Sequence, residues 1–190
     1  MEYKLFDQPH SHDLEFYQDR AMADHINQGD HRPRLLSVAD EVIELSKNEE
    51  IKTIGDFGCG NGGLINFLSD KVDQKLYGYD LQPSNVQFAK EHGRPVELKD
   101  FINQQVEWPD LLICTETLEH LVDPHGFLKK ASEKSKYIVA STPGYETATF
   151  HAPFHLWVWT DESFKDIFQG WEIVKYYRTN FQFVVARSKC

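Results

Sequence analysis

The chain has 190 residues, of which 41% are hydrophobic and 26% are charged, a composition that fits one compact globular domain and excludes a fibrous or disordered chain. No apolar run approaches the ~20 residues of a membrane helix, and the polar start MEYKLFDQPHSHDLEF has no apolar signal segment, so we expect a cytoplasmic protein without membrane contact. The formal net charge is −10, and the first 50 residues hold 12 acidic against 5 basic side chains, a balance that repels phosphate backbones and argues against nucleic acid as a partner.

The first 50 residues precede any strand and are predicted to be helical. Residues 13–29 and 33–48 have helical patterns, and Gly29, Asp30 and Pro33 separate them. We expect residues 1–50 to form a helical lid over a pocket, within the same domain as residues 51–190. Candidate pocket residues in this lid are Phe16, Tyr17, Arg20, His31 and Arg32, with an Arg or a His meeting a cofactor carboxylate.

From residue 51 the pattern changes to alternating strands and helices. Strands are predicted at residues 51–57, 75–80, 95–100, 110–116 and 136–141. Helices are predicted behind a glycine cluster, from Pro83 to Gly93 and from Pro124 to about Ser135. Repeated units of this kind predict a Rossmann-like α/β fold, with a mostly parallel sheet and helices on both of its faces.

The last third of the chain is predicted to close the sheet. Residues 141–144, Ser-Thr-Pro-Gly, read as a turn, and residues 145–159 are aromatic and irregular. A helix is predicted from Thr160 to about Phe168, followed by two strands that pair with each other. The aromatic residues of 150–171 are expected to form core, the wall of an apolar acceptor pocket, or both.

A glycine loop joins the first strand to its helix. Gly58, Gly60 and Gly63 also satisfy the spacing of dinucleotide-binding loops, so the loop alone leaves the cofactor open. Asp56, at the end of the strand, would repel a pyrophosphate and attract a ligand that carries an ammonium and a sulfonium. The loop together with Asp56 therefore favours S-adenosylmethionine over NAD.

Acidic residues also end the next two strands. Asp80 follows Gly58 at about the offset at which a carboxylate reaches the two hydroxyls of a ribose. Asp100 can accept from an adenine amino group while Phe101 covers the base. In an open sheet, ligands bind beyond the carboxyl ends of the strands, so we expect these carboxylates around one cleft.

These motifs resemble the class I S-adenosylmethionine-dependent methyltransferases over about residues 51–186. DFGCGNG is similar to the first motif of that family, YD to the second, and ICTETLEHL to the segment after the fourth strand. The resemblance implies methyl transfer on a seven-stranded sheet whose last strand is reversed. It implies a cofactor site made of Asp56, Gly58, Cys59, Gly60, Gly62, Asp80, Leu81, Asp100, Phe101 and Glu116.

The residues after the fourth strand are the candidates for chemistry on the acceptor. If the run is helical, Glu116, Glu119 and His120 share one face at the pocket mouth. His120 titrates near neutral pH, so His120 with Glu119 is the candidate general base. The alternative is that both only hold the loop by hydrogen bonds, because similar E-x-x-E-H runs occur in quinone-pathway methyltransferases.

A metal site is a second possibility at the same place. Glu116, Glu119, His120 and His155 resemble the metal set of small-RNA 3′-terminal ribose 2′-O-methyltransferases, and such a set suits Mg²⁺ or Mn²⁺. The acidic composition counts against an RNA substrate. The main expectation is therefore no metal, with His155 as a loop histidine.

The sequence thus predicts a monomer or homodimer that methylates an O, N or C nucleophile of a small molecule. One alternative is metal-dependent 2′-O-methylation of an RNA 3′ end. Another is a non-catalytic, methyltransferase-like binding subunit, although such a subunit would tolerate damaged cofactor motifs and these motifs are intact.

Overall fold

The computed structural model describes residues 2–4, 17–29 and 31–190. The strands are β1 (Glu2–Lys4), β2 (Thr53–Phe57), β3 (Lys75–Asp80), β4 (Val96–Leu98), β5 (Leu111–Thr115), β6 (Tyr137–Pro143), β7 (Trp157–Trp159), β8 (Trp171–Arg178) and β9 (Phe181–Ser188). The α-helices are α1 (Arg32–Ser46), α2 (Gly63–Leu68), α3 (Pro83–Glu91), α4 (Pro124–Lys134) and α5 (Asp161–Asp166), with 3-10 turns at His25–Asn27 and Leu118–His120. All five strands predicted between residues 51 and 141 are present.

Seven strands form one sheet in the order β4-β3-β2-β5-β6-β9-β8. The first five of these are parallel, and β9 runs antiparallel to both β6 and β8. The predicted seven-stranded, Rossmann-like sheet with a reversed last strand is confirmed. The order reverses between β2 and β5, which is where an open parallel sheet leaves a crevice for a ligand.

Two hydrophobic cores cover the two faces of the sheet. Successive side chains of a strand point to opposite faces of the sheet. In β5, Leu111 and Ile113 therefore pack on the α1 side, while Leu112 and Cys114 pack against α4 and α5. The α1 side chains Val38, Ala39 and Val42 are fully buried. Every helix among the described residues is too short or too polar to cross a membrane.

The N-terminal segment differs from its prediction. Of the helix predicted at 13–29, residues 13–16 lie outside the described part, and residues 18–29 hold only the 3-10 turn. Their backbone groups bond to the start of α3 instead: Gln82 donates to the Ala21 carbonyl at 2.7 Å, and Ser84 to the Arg20 carbonyl at 2.6 Å. Tertiary contacts with α3 therefore replace the helical hydrogen bonds that local pattern favoured.

Two details after residue 140 also differ. The turn predicted at 141–144 begins later, because β6 continues through Pro143, which pairs with Phe181 of β9. Within the segment predicted to be irregular, β7 pairs antiparallel with β1. The partner strand lies at the far end of the chain, so no local pattern indicated it.

Candidate functional site

A cleft of ≈ 450 Å³ opens beyond the carboxyl ends of β2, β3 and β5. Residues from the N-terminal segment, the start of α1 and the loop before β7 form its other walls. Predicted site residues that line it are Asp56, Gly58, Cys59, Gly60, Asp80, Leu81, Phe101, Glu116, His120 and His155. The cleft thus brings together most of the residues that the sequence singled out.

The glycine loop needs its glycines for backbone conformation and for space. Gly58, Gly60 and Gly62 have φ of +82°, +56° and +71°, in the region that side chains disfavour. A Cβ on Gly58 would lie 2.3 Å from the Thr117 hydroxyl, and one on Gly62 would lie 2.7 Å from Val96. Gly62 caps α2 and is not among the residues that line the cleft, so it shapes the loop from behind.

Two carboxylates occupy the centre of the cleft. Asp80 accepts hydrogen bonds from the Gly60 amide at 2.7 Å and the Gln82 amide at 2.8 Å, which fix it at the end of β3. Asp56 is 3% exposed, and its Oδ1 has no hydrogen-bond partner. Burial, and secondly the charge of Asp80, raise the pKa of Asp56 to about 7. An unpaired buried carboxylate of this kind favours a cationic ligand.

Arg34, which the sequence reading missed, supplies a buried cation at the same cleft. It is 4% exposed, its Nε and Nη1 have no hydrogen-bond partner, and its guanidinium lies 5.3 Å from the centre of the Phe181 ring. The position of Arg34 in the first turn of α1 could have drawn attention to it. However, burial of an arginine on an otherwise apolar helix face is decided by tertiary packing.

The other predicted lid residues divide into two groups. Tyr17, Arg20 and His31 line the cleft, whereas Arg32 donates to the Ile26 carbonyl at 3.1 Å and lines no part of it. Phe16 lies outside the described residues.

Asp100 is the predicted cofactor residue whose placement differs most from expectation. It is not among the cleft-lining residues, and its carboxylate accepts from the Ile102 and Asn103 amides, each at 3.0 Å, and from the Asn103 side chain at 2.7 Å. These bonds stabilise the turn after β4. The neighbouring Phe101 is buried and lines the cleft, so of this predicted pair only the aromatic side chain reaches it.

The run after β5 is not the helix on which the shared-face prediction depended. Glu116 has φ of +50° and Leu118–His120 form a 3-10 turn, so Glu116, Glu119 and His120 do not follow α-helical spacing. Glu116 faces the cleft and accepts from Ser141 at 3.1 Å, and burial raises its pKa to about 6. Glu119 is turned inward and fully buried.

Glu119 nevertheless joins two histidines in one group. One ligand atom from each of Glu119, His120 and His155 lies within 4.8 Å of the others. Burial, and secondly the charge of Glu116, raise the pKa of Glu119 well above its usual value, and its Oε1 has no hydrogen-bond partner. Of the four residues in the predicted metal set, Glu116 is therefore the one outside this group.

The aromatic segment is divided between core and cleft. Trp159, Phe164, Phe168 and Trp171 belong to the core. Phe154 lines the cleft, with the Arg20 guanidinium 5.0 Å from its ring centre, and Phe150 is 67% exposed. Aromatic side chains from several elements therefore line the cleft, among them Tyr145 and Phe154 of the loop before β7 and Phe181 of β9.

Comparison with known proteins identifies the class of domain. Residues 29–187 match the model of a methyltransferase domain family. The ubiquinone biosynthesis O-methyltransferase of Hydrogenovibrio crunogenus is 30% identical over 105 residues, which are 50% of this chain and 43% of that protein. The corresponding protein of Bordetella avium is 26% identical over 97 residues, 46% of this chain and 40% of that protein. The chain thus spans less than half the length of these relatives.

Solved structures share the fold at low identity. The N-methyltransferase NodS from Bradyrhizobium japonicum, in complex with S-adenosyl-L-homocysteine, has a TM-score of 0.71 and 15% identity over 93% of this chain and 97% of that one. A SAM-dependent methyltransferase from Aquifex aeolicus has a TM-score of 0.61 and 22% identity over 78% of this chain and 88% of that one.

Proposed function

The chain belongs to the methyltransferase domain family, and from this premise we propose that it transfers the methyl group of S-adenosylmethionine to a small molecule. The observation that carries the proposal is the buried Asp56 oxygen without a partner, beside Asp80, in a cleft at the switch point of the sheet. Such a carboxylate matches a ligand with an ammonium group. The intact cleft counts against a purely non-catalytic subunit.

The charges of the cleft suit the two ends of this cofactor. Asp56 and the guanidinium of Arg34, whose Nε and Nη1 have no hydrogen-bond partner, would hold the amino and carboxylate groups of its methionine part. Asp80 would accept from the ribose hydroxyls, with Phe101 and Leu81 beside the adenine. Gly58, Cys59 and Gly60 leave room for close approach along one wall, and Glu116 lies toward the acceptor end.

The protein's own contribution is alignment and exclusion of water. S-adenosylmethionine supplies a methyl carbon that is already activated by a positive sulfur. Residues within 17–29 and at the start of α1 line the cleft, which supports the proposal that residues 1–50 act as a lid. His120 lines the acceptor side and is the candidate to accept the acceptor's proton, with Glu119 behind it.

The names of the relatives favour a hydroxyl acceptor. Both matched relatives are O-methyltransferases, and Phe154 gives the acceptor side an aromatic wall. We therefore propose an apolar or aromatic small molecule with a hydroxyl group. The cytoplasmic location and the monomeric or homodimeric state stay predictions.

Calorimetry with S-adenosylmethionine and S-adenosylhomocysteine tests the cofactor assignment. We expect both to bind, and Asp80→Asn to weaken both by about 10- to 100-fold, because a carboxylate that accepts from hydroxyls contributes about 1.5–3 kcal/mol. Asp73→Asn, on the loop before β3, is the matched control. Folded protein that binds neither ligand would refute the assignment. Transfer of a radiolabelled methyl group to a panel of phenols then tests the acceptor class.

A second candidate is metal-dependent methylation of the 2′-hydroxyl at an RNA 3′ end. The group of Glu119, His120 and His155 favours it, because the unpartnered Glu119 Oε1 fits a cation, and one oxygen with two nitrogen ligands suits Mn²⁺ better than Mg²⁺, which prefers oxygen. Such an ion would hold two vicinal hydroxyls. This function predicts that chelators and His155→Ala abolish transfer to a short RNA, and that RNA without its terminal 2′-hydroxyl is inert. Metal-independent transfer to a phenol would exclude it.

A further inference from the structure

Glu146 makes a buried contact with His155 that neither the sequence patterns nor the methyl-transfer chemistry assigns. Its Oε2 lies 2.7 Å from His155 Nδ1, and the two side chains are 3% and 9% exposed. Its other oxygen, Oε1, accepts from the Ala152 amide at 2.9 Å. Both carboxylate oxygens are therefore committed within the loop that carries His155, so the carboxylate has a fixed position.

This contact decides which nitrogen of His155 carries the proton. An ionised carboxylate only accepts hydrogen bonds, so Nδ1 must be the donor. In the neutral ring the lone pair is then on Nε2. The His155 ring packs edge-on against His120 at 4.7 Å between ring centres, so Nε2 is the nitrogen left for the group with Glu119 and His120.

The same arrangement recurs on the second histidine. His120 Nδ1 lies 3.3 Å from the Phe154 carbonyl, which can only accept. Histidines that bind metals almost always donate their other ring N–H to a carboxylate or a backbone carbonyl, which sets tautomer and ring orientation. Here one histidine has a carboxylate and the other a carbonyl in that place.

We propose that Glu146 is a positioning residue: it holds His155 in the Nδ1–H tautomer, so that Nε2 can bind a divalent cation together with Glu119 and His120. This inference rests on the metal-dependent candidate function. It adds a residue that is not itself a ligand of the cation and that acts on the proposed site through His155.

Glu146→Gln is the discriminating variant. Its side chain keeps the size of glutamate, and its amide oxygen can still accept from Ala152, but its amide nitrogen then donates to His155 Nδ1. The lone pair moves to Nδ1 and Nε2 becomes a donor, which cannot bind a metal. We expect the histidine nitrogen NMR spectrum of metal-free protein to show the tautomer change for His155. Titration with Mn²⁺, followed by its electron paramagnetic resonance signal, should show a 10- to 100-fold loss of affinity.

Three controls separate the possible failures. Glu133→Gln, exposed on α4, removes the same charge elsewhere and should leave both measurements unchanged, while Glu146→Asp should restore part of the Mn²⁺ affinity. An unchanged His155 tautomer, or unchanged Mn²⁺ affinity, in Glu146→Gln overturns the inference. Wild-type protein that binds S-adenosylhomocysteine but no Mn²⁺ also overturns it, and leaves the methyl-transfer proposal standing. If the wild-type protein does not bind S-adenosylhomocysteine, the result counts against the methyl-transfer proposal instead.

Discussion

Replacing Asp56 by Asn should stabilise the ligand-free protein and weaken its binding of the cofactor. The carboxylate is buried without a partner for Oδ1, so it is costly to ionise in the empty cleft. The same carboxylate is the group proposed to meet the ammonium of S-adenosylmethionine. Stability and binding should therefore move in opposite directions in one variant.

The size of the stability change follows from the pKa of Asp56. It is raised from 3.8 to about 7, chiefly by burial, and each pKa unit corresponds to about 1.36 kcal/mol. Between these two pH values the unfolded chain has lost a proton that the folded chain retains, so folding stability falls as pH rises, by about 4 kcal/mol above pH 7. A buried Asn amide costs about 1–2 kcal/mol. The net gain should be about 2–3 kcal/mol at pH 8 and should vanish near pH 5.

Urea unfolding of wild type and variant at pH 5 and pH 8, without ligand, measures this gain. Asp110→Asn is the matched control with the opposite expected sign. Burial would raise the pKa of Asp110, but hydrogen bonds from the Lys52 and Thr53 amides and from Lys136 outweigh it and lower the pKa. Stability from Asp110 is therefore present above the unfolded pKa, and its Asn variant should be less stable than wild type at both pH values.

Calorimetry supplies the second half of the test. Asp56→Asn should bind S-adenosylhomocysteine about 10- to 100-fold more weakly at pH 8, because a hydrogen bond to a charged group is worth about 1.5–3 kcal/mol. The reasoning is refuted if the variant is less stable than wild type at pH 8, or if the difference between them does not change between pH 5 and pH 8.

Three further outcomes are expected. The affinity of wild type for S-adenosylhomocysteine should fall about tenfold per pH unit below pH 7, where Asp56 becomes protonated, and calorimetry should find no such slope in Asp56→Asn. Arg34→Met should weaken S-adenosylhomocysteine by about 10- to 100-fold but leave 5′-deoxy-5′-methylthioadenosine, which lacks the amino-acid end, unaffected; equal losses for both ligands would argue against a carboxylate contact. Gly58→Ala should cost more than about 2 kcal/mol in urea unfolding, because its Cβ would meet Thr117, whereas Gly93→Ala, with φ of +67° and open space, should cost about 1 kcal/mol.

Local patterns fixed most of the sheet and one wall of the cleft. The strand predicted at residues 75–80 begins and ends with a charged residue, and its observed ends, Lys75 and Asp80, match the prediction. Asp56, Gly58 and Asp80 reached the cleft as predicted, because parallel strands place their carboxyl ends at one edge and the loop before α2 must turn there.

Position at a strand end did not by itself place a side chain in the cleft. Asp100 was predicted to end a strand as Asp56 and Asp80 do, but β4 ends at Leu98 and the Asp100 oxygens bond to the turn that follows. Short polar side chains compete for nearby backbone donors, and here that local competition decided the outcome. The sequence alone gave no way to weigh the turn against a ligand.

The sequence by itself therefore determined the α/β fold, the glycine loop and the two central carboxylates, since these follow from periodicity, conformational freedom and strand direction. Tertiary structure alone decided that the Arg20 and Ala21 carbonyls bond to the start of α3 instead of continuing a helix, and that Arg34 is buried facing the cleft. It also decided that Glu146 and His155 complete a group with Glu119 and His120. Each of these outcomes depends on how polar groups are placed by tertiary packing, and hydrophobic periodicity contains no information about that placement.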